Sequence, residues 1–398
     1  MNGFNLVEDY EKFKCGMELF LIPPDFSVGT TPSEIIYTED KMRLLHYIPT
    51  VEKLHPVPIL IVYALVNRYY ILDLQPDKSV IKKLLNEGFD VYVIDWGYPS
   101  GVDRYLTLDD YVNGYINNAV EKIRELSGLD KITLFGVCQG GTFSVMYAAL
   151  HPEKVKNLVT LVSPVDFDTD KGILHLWARS LDVDKIVDYY GIVPGDFLNA
   201  GFLLTDPFRL MIDKYVGLFE RIECKPGDKE GELRNEETVK NFLRMEKWIF
   251  DSPDQAGETF RQFMKDCYQN NLLIKNKMML NGKKINLKNI TMPLLNVMAE
   301  FDHLVPTDAS KPLTGAVSSS DKETLVFPTG HIGIFVGSKS QKEVCPKIAE
   351  WLKPRSLVNG TGEEKAEPAS MQEEKSEKIR EKTHEQKRKT RRSKVNIK

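Results

Sequence analysis

The chain has 398 residues, a formal charge of −4 and a hydrophobic content of 42%. These are ordinary values for a globular protein with one large α/β domain and an insertion, or with two domains. Its first residues lack the layout of a signal peptide, and its most hydrophobic window, Val57–Val66, is too short to cross a bilayer. The five cysteines are widely spaced, without a Cys-x-x-Cys pair or a histidine at ligand spacing. A zinc site and a disulfide framework are therefore not expected, no cofactor or metal is predicted, and a cytoplasmic location fits best.

Strands and helices alternate over the first 165 or so residues. Short runs rich in Val, Ile and Tyr predict buried parallel strands, and helical patterns with capping residues lie between them. The predicted strands are Pro58–Val66, Val91–Asp95, Ile132–Phe135 and Leu158–Val162, and the predicted helices are Asp77–Glu87, Thr107–Leu126 and Thr142–Leu150. This order predicts a helix-covered parallel sheet whose reactive loops follow the carboxyl ends of the strands.

The segment Gly136-Val137-Cys138-Gln139-Gly140-Gly141 has the form of a nucleophile elbow. In an elbow a strand turns sharply into a helix and exposes one side chain, and glycines are needed because a Cβ would crowd the turn. The hydrolase version of the motif has serine at the central position. A cysteine there suits transfer of an acyl group from a thioester, because thioester exchange is nearly isoenergetic. For this segment taken by itself, a buried structural cysteine is the alternative explanation.

The regular alternation ends near residue 168 and returns near residue 289. The intervening residues have helical but irregular patterns, and Gly191–Leu218 is unusually hydrophobic. Because a structureless loop of this length is uncommon, residues 168–288 are predicted to form a helical cap inserted over the active site, with a separate helical domain as the alternative. Strands at Pro293–Ala299 and Glu323–Phe327 and a helix at Gln341–Leu352 then complete the sheet domain.

Candidates for an acid and a base follow in the order that an elbow requires, which is nucleophile, acid, histidine. Asp302 lies just after the strand that ends at Ala299, and His331 lies on a glycine-flanked loop after the last strand. Three such residues, each directly beyond a strand, predict a Cys138, His331 and Asp302 triad in an α/β-hydrolase fold whose core is formed by residues 1–167 and 289–356. His303 shares a loop with the acid and is interpreted as a turn residue.

In these and further segments the chain resembles the polyhydroxyalkanoate synthases, and more closely the catalytic subunits of the two-subunit type (class III or IV). The resemblance covers about residues 55–352. Its segments are Val62–Leu74, Asp95–Pro99, the Gly-Val-Cys-Gln-Gly-Gly-Thr elbow, Glu246–Trp248, Asp251–Gly257, Asp302–Pro306 and Gly330–Gly333. Any one of them could occur in another hydrolase, but together and in this order they are highly specific. The family's catalytic Cys, Asp and His fall on Cys138, Asp302 and His331.

The resemblance implies an acyltransferase that polymerises the 3-hydroxyacyl groups of coenzyme A thioesters and releases CoA, with short-chain 3-hydroxybutyryl-CoA as the expected substrate. His331 would take the thiol proton and Cys138 would attack the thioester carbonyl. The oxyanion would be bound by the backbone N–H of Gln139, which follows the nucleophile, and by that of Val66, which the family match indicates. Asp302 would either orient the imidazole or help to deprotonate the incoming 3-hydroxyl group.

The resemblance also implies a homodimer formed partly through the cap, a small second subunit, and association with cytoplasmic polyester granules. Residues 357–398 lie outside it. Glu, Lys, Arg, Gln and Ser dominate this segment, which predicts a disordered tail. Its basic end, Lys387–Arg392, could contact nucleic acid, the granule surface or the polyanionic CoA moiety, or could simply be solvated.

Two other functions share parts of this pattern. A hydrolase with a cysteine nucleophile, such as an acyl-CoA thioesterase or a dienelactone-type enzyme, shares the elbow and the triad order, but it does not account for Asn67–Leu74, Asp251–Gly257 or the long cap. A non-catalytic granule or nucleic-acid binder is favoured by the charged tail alone.

Overall fold

The computed structural model of the chain describes residues 26–222 and 229–357, together with Tyr10 and Lys14. Two of the five cysteines, Cys15 and Cys224, and the tail from residue 358 onward lie outside the described residues. Within the described part, no helix is both long enough and hydrophobic enough to cross a bilayer.

Eight strands form one sheet. They are β1 (Ser33–Glu39), β2 (Met42–Tyr47), β3 (Ile59–Val62), β4 (Val91–Asp95), β5 (Ile132–Val137), β6 (Val155–Leu161), β7 (Leu294–Ala299) and β8 (Lys322–Phe327). Their spatial order is β1-β2-β4-β3-β5-β6-β7-β8. The pairs from β4 to β8 are parallel, whereas β2 pairs antiparallel with both β1 and β4. The parallel strands therefore end at one common edge, where the reactive loops are expected.

The helices of the chain are α1 (Val80–Asn86), α2 (Asn117–Ser127), α3 (Gln139–Leu150), α4 (Ile173–Ser180), α5 (Val183–Tyr190), α6 (Gly195–Leu203), α7 (Lys214–Arg221), α8 (Lys229–Phe250), α9 (Gly257–Gln262), α10 (Thr307–Ser310), α11 (Pro312–Ala316), α12 (Gly333–Val336) and α13 (Cys345–Leu352). Wider helical turns precede α2, α7 and α13 and follow α9, at Asp110–Ile116, Arg209–Asp213, Ser340–Val344 and Phe263–Gln269. Short 3₁₀ turns and three small strand pairs complete the secondary structure.

Both faces of the sheet are covered by helices. Successive residues of a strand point to opposite faces, and in β3 Ile59 and Ile61 pack in one hydrophobic cluster while Leu60 and Val62 pack in another. Residues of α1 and α13 belong to the first cluster, and residues of α2 and α3 belong to the second. α3 is buried along almost its whole length, because its residues are small or hydrophobic on every side. This confirms the predicted helix-covered sheet, which is parallel from β4 to β8, while the antiparallel part was not predicted.

Two predicted strands are displaced or extended by up to three residues, since β5 runs to Val137 and β6 begins at Val155. Two larger differences concern the start of the sheet. The predicted strand Pro58–Val66 is only Ile59–Val62 in the structure, because the chain leaves the sheet at Tyr63 and forms a loop beside the elbow. The antiparallel hairpin of β1 and β2 was not predicted. β1 lies at the edge of the sheet and is mostly exposed, so it lacks the hydrophobic run that marks a buried strand.

A long helical segment separates two strands that are neighbours in the sheet. β6 ends at Leu161 and β7 begins at Leu294, and the two strands pair in parallel with Leu158 opposite Leu294. The sheet is thus continuous across this point, and helices α4 to α9 form the inserted segment between the strands. The predicted cap, residues 168–288, falls within this segment. Its boundaries stay a prediction.

Candidate active site

Cys138 occupies the sharp turn between β5 and α3. Its backbone has φ 53° and ψ −126°, a conformation that residues other than glycine rarely adopt. Its N–H donates to the carbonyl oxygen of Leu161 over 2.9 Å, which fixes the turn to the end of β6. The side chain is partly exposed. This is the strand, turn and helix geometry of a nucleophile elbow.

The glycines of the elbow are required because other parts of the chain approach them closely. A Cβ on Gly136 would lie 2.3 Å from the Cα of Gly141, and a Cβ on Gly140 would lie 2.2 Å from the carbonyl oxygen of Val62. A Cβ on Gly141 would lie 1.7 Å from the Oγ of Ser163. Real Cβ contacts are essentially never shorter than 3.0 Å, so a larger residue at any of these positions would force the elbow apart.

His331 and Asp302 form a buried pair just beyond β8 and β7. The Nδ1 atom of His331 lies 2.6 Å from Oδ2 of Asp302. The Oδ1 atom of Asp302 accepts hydrogen bonds from the N–H groups of Leu304 (2.9 Å) and Val305 (2.8 Å). The Asp302 side chain has 0% of its surface exposed. Three hydrogen bonds therefore hold the carboxylate in place, and the carboxylate in turn fixes the orientation of the imidazole.

His331 also interacts with Cys138. Because Nδ1 of the ring faces Asp302, Nε2 is the nitrogen left for the thiol. Burial lowers the pKa of His331, but the Asp302 carboxylate, the negative charge of Cys138 and the hydrogen bonds to both groups outweigh it, so the pKa is raised above its usual value. A protonated imidazole beside a thiolate is the state that activates a cysteine nucleophile.

The two backbone N–H groups predicted to form an oxyanion hole belong to Gln139 and Val66. Gln139 is the first residue of α3, so its N–H has no acceptor within the helix. Val66 lies on the loop after β3, and its N–H has no acceptor among the described residues. The structure thus brings the five predicted site residues to one place. Cys138, Gln139, Val66 and His331 line a common cavity, and Asp302 contacts His331 without lining that cavity.

The cavity at Cys138 has a volume of about 570 Å³. Most of the residues that line it belong to the inserted helices, and most are hydrophobic. They include Leu174, Trp177, Phe197, Leu198, Phe202, Met245, Trp248, Phe260 and Tyr268. A hydrophobic wall of this kind favours an acyl chain over water at the reactive thiol.

His303, interpreted from the sequence as a turn residue, lines the same cavity. Its Nδ1 atom lies 3.5 Å from Nη2 of Arg209, a residue of the inserted segment, and burial together with this cation lowers the pKa of His303. His175 of α4 is fully buried against the ring of Tyr268, with 5.1 Å between ring centroids. Among the described residues, neither ring nitrogen of His175 has a hydrogen-bond partner.

Asn67, Trp248 and Tyr268 line the cavity as well, although no role in the site was predicted for them. They are far apart along the chain and meet only because the inserted segment folds back onto the loop after β3. The irregular pattern of the inserted segment could not predict this contact. The available signal was that Asn67 and Trp248 stand in segments that carry the family resemblance.

Metal binding is not supported by the arrangement of side chains in the described part of the chain. No three His, Cys, Asp or Glu residues there are placed to hold a metal ion.

Comparison with known protein families identifies two matching regions. Residues 57–338 match the family described as alpha/beta hydrolase fold, and residues 7–84 match the family described as poly-beta-hydroxybutyrate polymerase (PhaC) N-terminus. A putative lipase from Sulfolobus solfataricus aligns with a TM-score of 0.50 and 15% identity, covering 83% of this chain and 99% of the lipase. That structural likeness shows the fold alone, and it agrees with the predicted α/β-hydrolase fold.

Curated relatives are much more similar in sequence. The poly(3-hydroxyalkanoate) polymerase subunit PhaC of Allochromatium vinosum is 52% identical over 350 residues, which are 87% of this chain and 96% of the relative. The protein of the same name from a Synechocystis species is 49% identical over 354 residues, which are 87% of this chain and 91% of the relative. The resemblance stated from the sequence motifs is confirmed by these matches.

Proposed function

The chain belongs to the poly(3-hydroxyalkanoate) polymerase family and is an acyltransferase that makes polyester, and we propose that it does so through a covalent acyl thioester on Cys138. The observation that carries this proposal is that Cys138 and His331 line the same cavity, with Nδ1 of His331 2.6 Å from Oδ2 of Asp302. The elbow exposes the thiol to the cavity, and the buried pair supplies a base of fixed orientation.

In the first step, the Cys138 thiolate attacks the carbonyl carbon of a 3-hydroxyacyl-CoA while His331 holds the thiol proton. A new C–S bond forms, and the charge on the carbonyl oxygen is stabilised by the N–H groups of Gln139 and Val66. One such donor typically contributes a factor of about 10² to 10³ in rate. The bond between the carbonyl carbon and the CoA sulfur then breaks, and the CoA sulfur takes the proton from His331.

In the second step, a 3-hydroxyl group attacks the acyl thioester on Cys138. Its proton passes to Nε2 of His331, which is neutral after the first step. An ester C–O bond forms and the C–S bond breaks, so the thiolate is regenerated beside the protonated imidazole. The hydrophobic cavity supports ester formation over hydrolysis, because it disfavours water near the acyl group.

Asp302, in our proposal, orients the imidazole and does not deprotonate the substrate hydroxyl directly. Its side chain is fully buried and does not line the cavity, and its two oxygens are engaged by His331, Leu304 and Val305. A carboxylate that accepted a proton from the substrate would have to face the cavity. Its role is therefore to hold His331 in the tautomer that presents Nε2 to the thiol.

Short-chain substrates are proposed on the strength of the family resemblance. We expect 3-hydroxybutyryl-CoA to be used faster than a medium-chain 3-hydroxyacyl-CoA. Rates of CoA release from the two thioesters at equal concentration test this, and faster use of the medium-chain substrate would contradict it.

We further propose that the inserted helical segment acts as a cap and contributes to assembly. Its surface carries several exposed hydrophobic side chains, which include Leu204, Phe208, Met211, Ile212 and Val216. Exposed clusters of this kind commonly mark contact surfaces. The resemblance implies a homodimer formed through the cap and a small second subunit. It also implies contact with the growing polyester and its granule in the cytoplasm.

The proposed function is tested by incubating the purified chain with 3-hydroxybutyryl-CoA, alone and with a candidate small subunit. Both CoA release and the product are measured, in the wild type and in Cys138→Ala. CoA release that depends on Cys138 and yields insoluble polyester is the expected result. Release that yields free 3-hydroxybutyrate would indicate a thioesterase on the same scaffold, and full activity of Cys138→Ala would refute the covalent mechanism.

A further inference from the structure

The loop after β3 is held between the elbow and the end of helix α8. On one side, the N–H of Leu65 donates to Oε1 of Gln139 over 3.0 Å in a buried hydrogen bond. On the other side, Nδ2 of Asn67 donates to the carbonyl oxygens of Trp248 (3.1 Å) and Ile249 (3.0 Å). Val66 lies between these two contacts, and its N–H is the second proposed oxyanion donor.

The contacts of Asn67 require an amide side chain in this backbone conformation. α8 ends at Phe250, so Trp248 and Ile249 belong to its last turn, where carbonyl groups lack partners within the helix. Asn67 supplies hydrogen-bond donors to both carbonyls and thus caps α8 from another part of the chain. Its φ is 55°, a value that asparagine and glycine adopt more readily than other residues.

Two other hydrogen bonds join the same two segments. The indole Nε1 of Trp248 donates to the carbonyl oxygen of Arg68 over 2.8 Å. The hydroxyl group of Tyr70 donates to Oδ2 of Asp251, just beyond α8, over 2.7 Å. Tyr98, which follows β4, donates to Oδ1 of the same carboxylate over 2.6 Å. The loop after β3 and the end of α8 therefore form one hydrogen-bonded unit.

We propose that Asn67 is a positioning residue that sets the Val66 N–H for oxyanion binding by tying this loop to α8. The inference rests on the proposed function, in which Val66 and Gln139 stabilise the oxyanion. An oxyanion donor acts only when it lies about 2.7 to 3.1 Å from the developing charge, and Val66 is covalently joined to Asn67. Trp248 and Ile249 also line the cavity. The hydrogen bonds of Asn67 to these residues therefore position both the cavity wall and the Val66 N–H.

The variant Asn67→Gly removes the donors without straining the backbone, because glycine adopts positive φ freely. We expect its kcat for CoA release from 3-hydroxybutyryl-CoA to fall by about 10- to 100-fold, since a displaced donor retains part of its effect. Its KM should stay within about threefold of the wild-type value, because the loss concerns the transition state. Alkylation of Cys138 by iodoacetamide forms no oxyanion, so its rate should stay within about twofold of the wild-type rate.

Two further variants make the test specific. Asn67→Asp keeps the size and the backbone preference but cannot donate, so it should lose kcat as Asn67→Gly does. Asn281→Gly is the matched control, since Asn281 has φ 46° but is exposed in the turn between the strands Met279–Leu280 and Lys283–Lys284. It should retain the wild-type kcat and alkylation rate.

Wild-type kcat in both Asn67 variants would overturn the positioning role. So would an equal fall in kcat and in the alkylation rate, because that would show general damage to the site. CoA release that persists in Cys138→Ala would refute the proposed covalent mechanism, whatever the Asn67 variants show. The two failures can thus be distinguished.

Discussion

An alanine at Gly140 should displace the elbow from the loop after β3, which carries the proposed oxyanion donor Val66. An alanine Cβ there would lie 2.2 Å from the carbonyl oxygen of Val62 and 2.4 Å from that of Tyr63, whereas ordinary contacts begin near 3.4 Å. Both oxygens belong to the backbone, so α3 or the loop after β3 must move by about 1 Å, and a misplacement of this size costs about 10²-fold in rate. We expect Gly140→Ala to lower kcat by about 10²-fold or more and the free energy of unfolding by about 1 to 3 kcal/mol.

Steady-state CoA release and chemical denaturation measure these two effects. Gly114→Ala is the matched control, because an added Cβ at Gly114 has nothing within 4 Å. Alanine is about 0.5 to 1 kcal/mol more favourable than glycine within a helix, so Gly114→Ala should keep wild-type kcat and unfold at a slightly higher temperature. A Gly140→Ala enzyme with kcat within about threefold of the wild type would show that the contacts with Val62 and Tyr63 do not position the site.

Three more predictions concern ionisable side chains of the site and the core. Asp302→Asn should lower kcat by about 10² to 10⁴-fold, because the imidazole loses the partner that fixes its tautomer; a loss below tenfold in steady-state assays would contradict this role. Cys138→Ala removes a negative charge and a hydrogen bond that raise the pKa of His331, so NMR titration should give a lower pKa in the variant, and an unchanged pKa would argue against the contact. Asp95→Asn breaks the buried ion pair with Arg68 (2.8 Å) and should reduce the free energy of unfolding by about 3 to 5 kcal/mol, whereas a loss under about 1 kcal/mol in a denaturation experiment would show that the pair is not required.

The place of Cys138, Asp302 and His331 in the fold could be predicted because each follows directly on a strand. Parallel strands end at one edge of a sheet, so residues just beyond them meet there even when they are far apart in sequence. The need for Gly136 was predictable for a related reason, since its close contacts with Gly141 and Ser144 are local consequences of a strand that turns into a helix. For these features the order of residues along the chain was enough.

The cavity wall and the edge hairpin were not predictable in the same way. β1 is largely exposed and pairs at the edge of the sheet, so its sequence has no hydrophobic run that distinguishes it from a loop. The contact of Asn67 with Trp248 depends on where the inserted segment folds back onto the sheet, and it joins residues far apart in the chain. Hydrophobic periodicity reports which residues are buried in a helix or strand, but it does not report which distant element covers them.

The covalent mechanism is tested most directly by locating the acyl group on the enzyme. The protein would be incubated briefly with 3-hydroxybutyryl-CoA, quenched in acid and digested, and the peptides would be examined by mass spectrometry. The peptide containing Cys138 should gain one or more whole 3-hydroxybutyryl units, and the Cys138→Ala protein should gain none at any cysteine. Acylation at another residue, or polyester formation by Cys138→Ala, would contradict a covalent mechanism through Cys138.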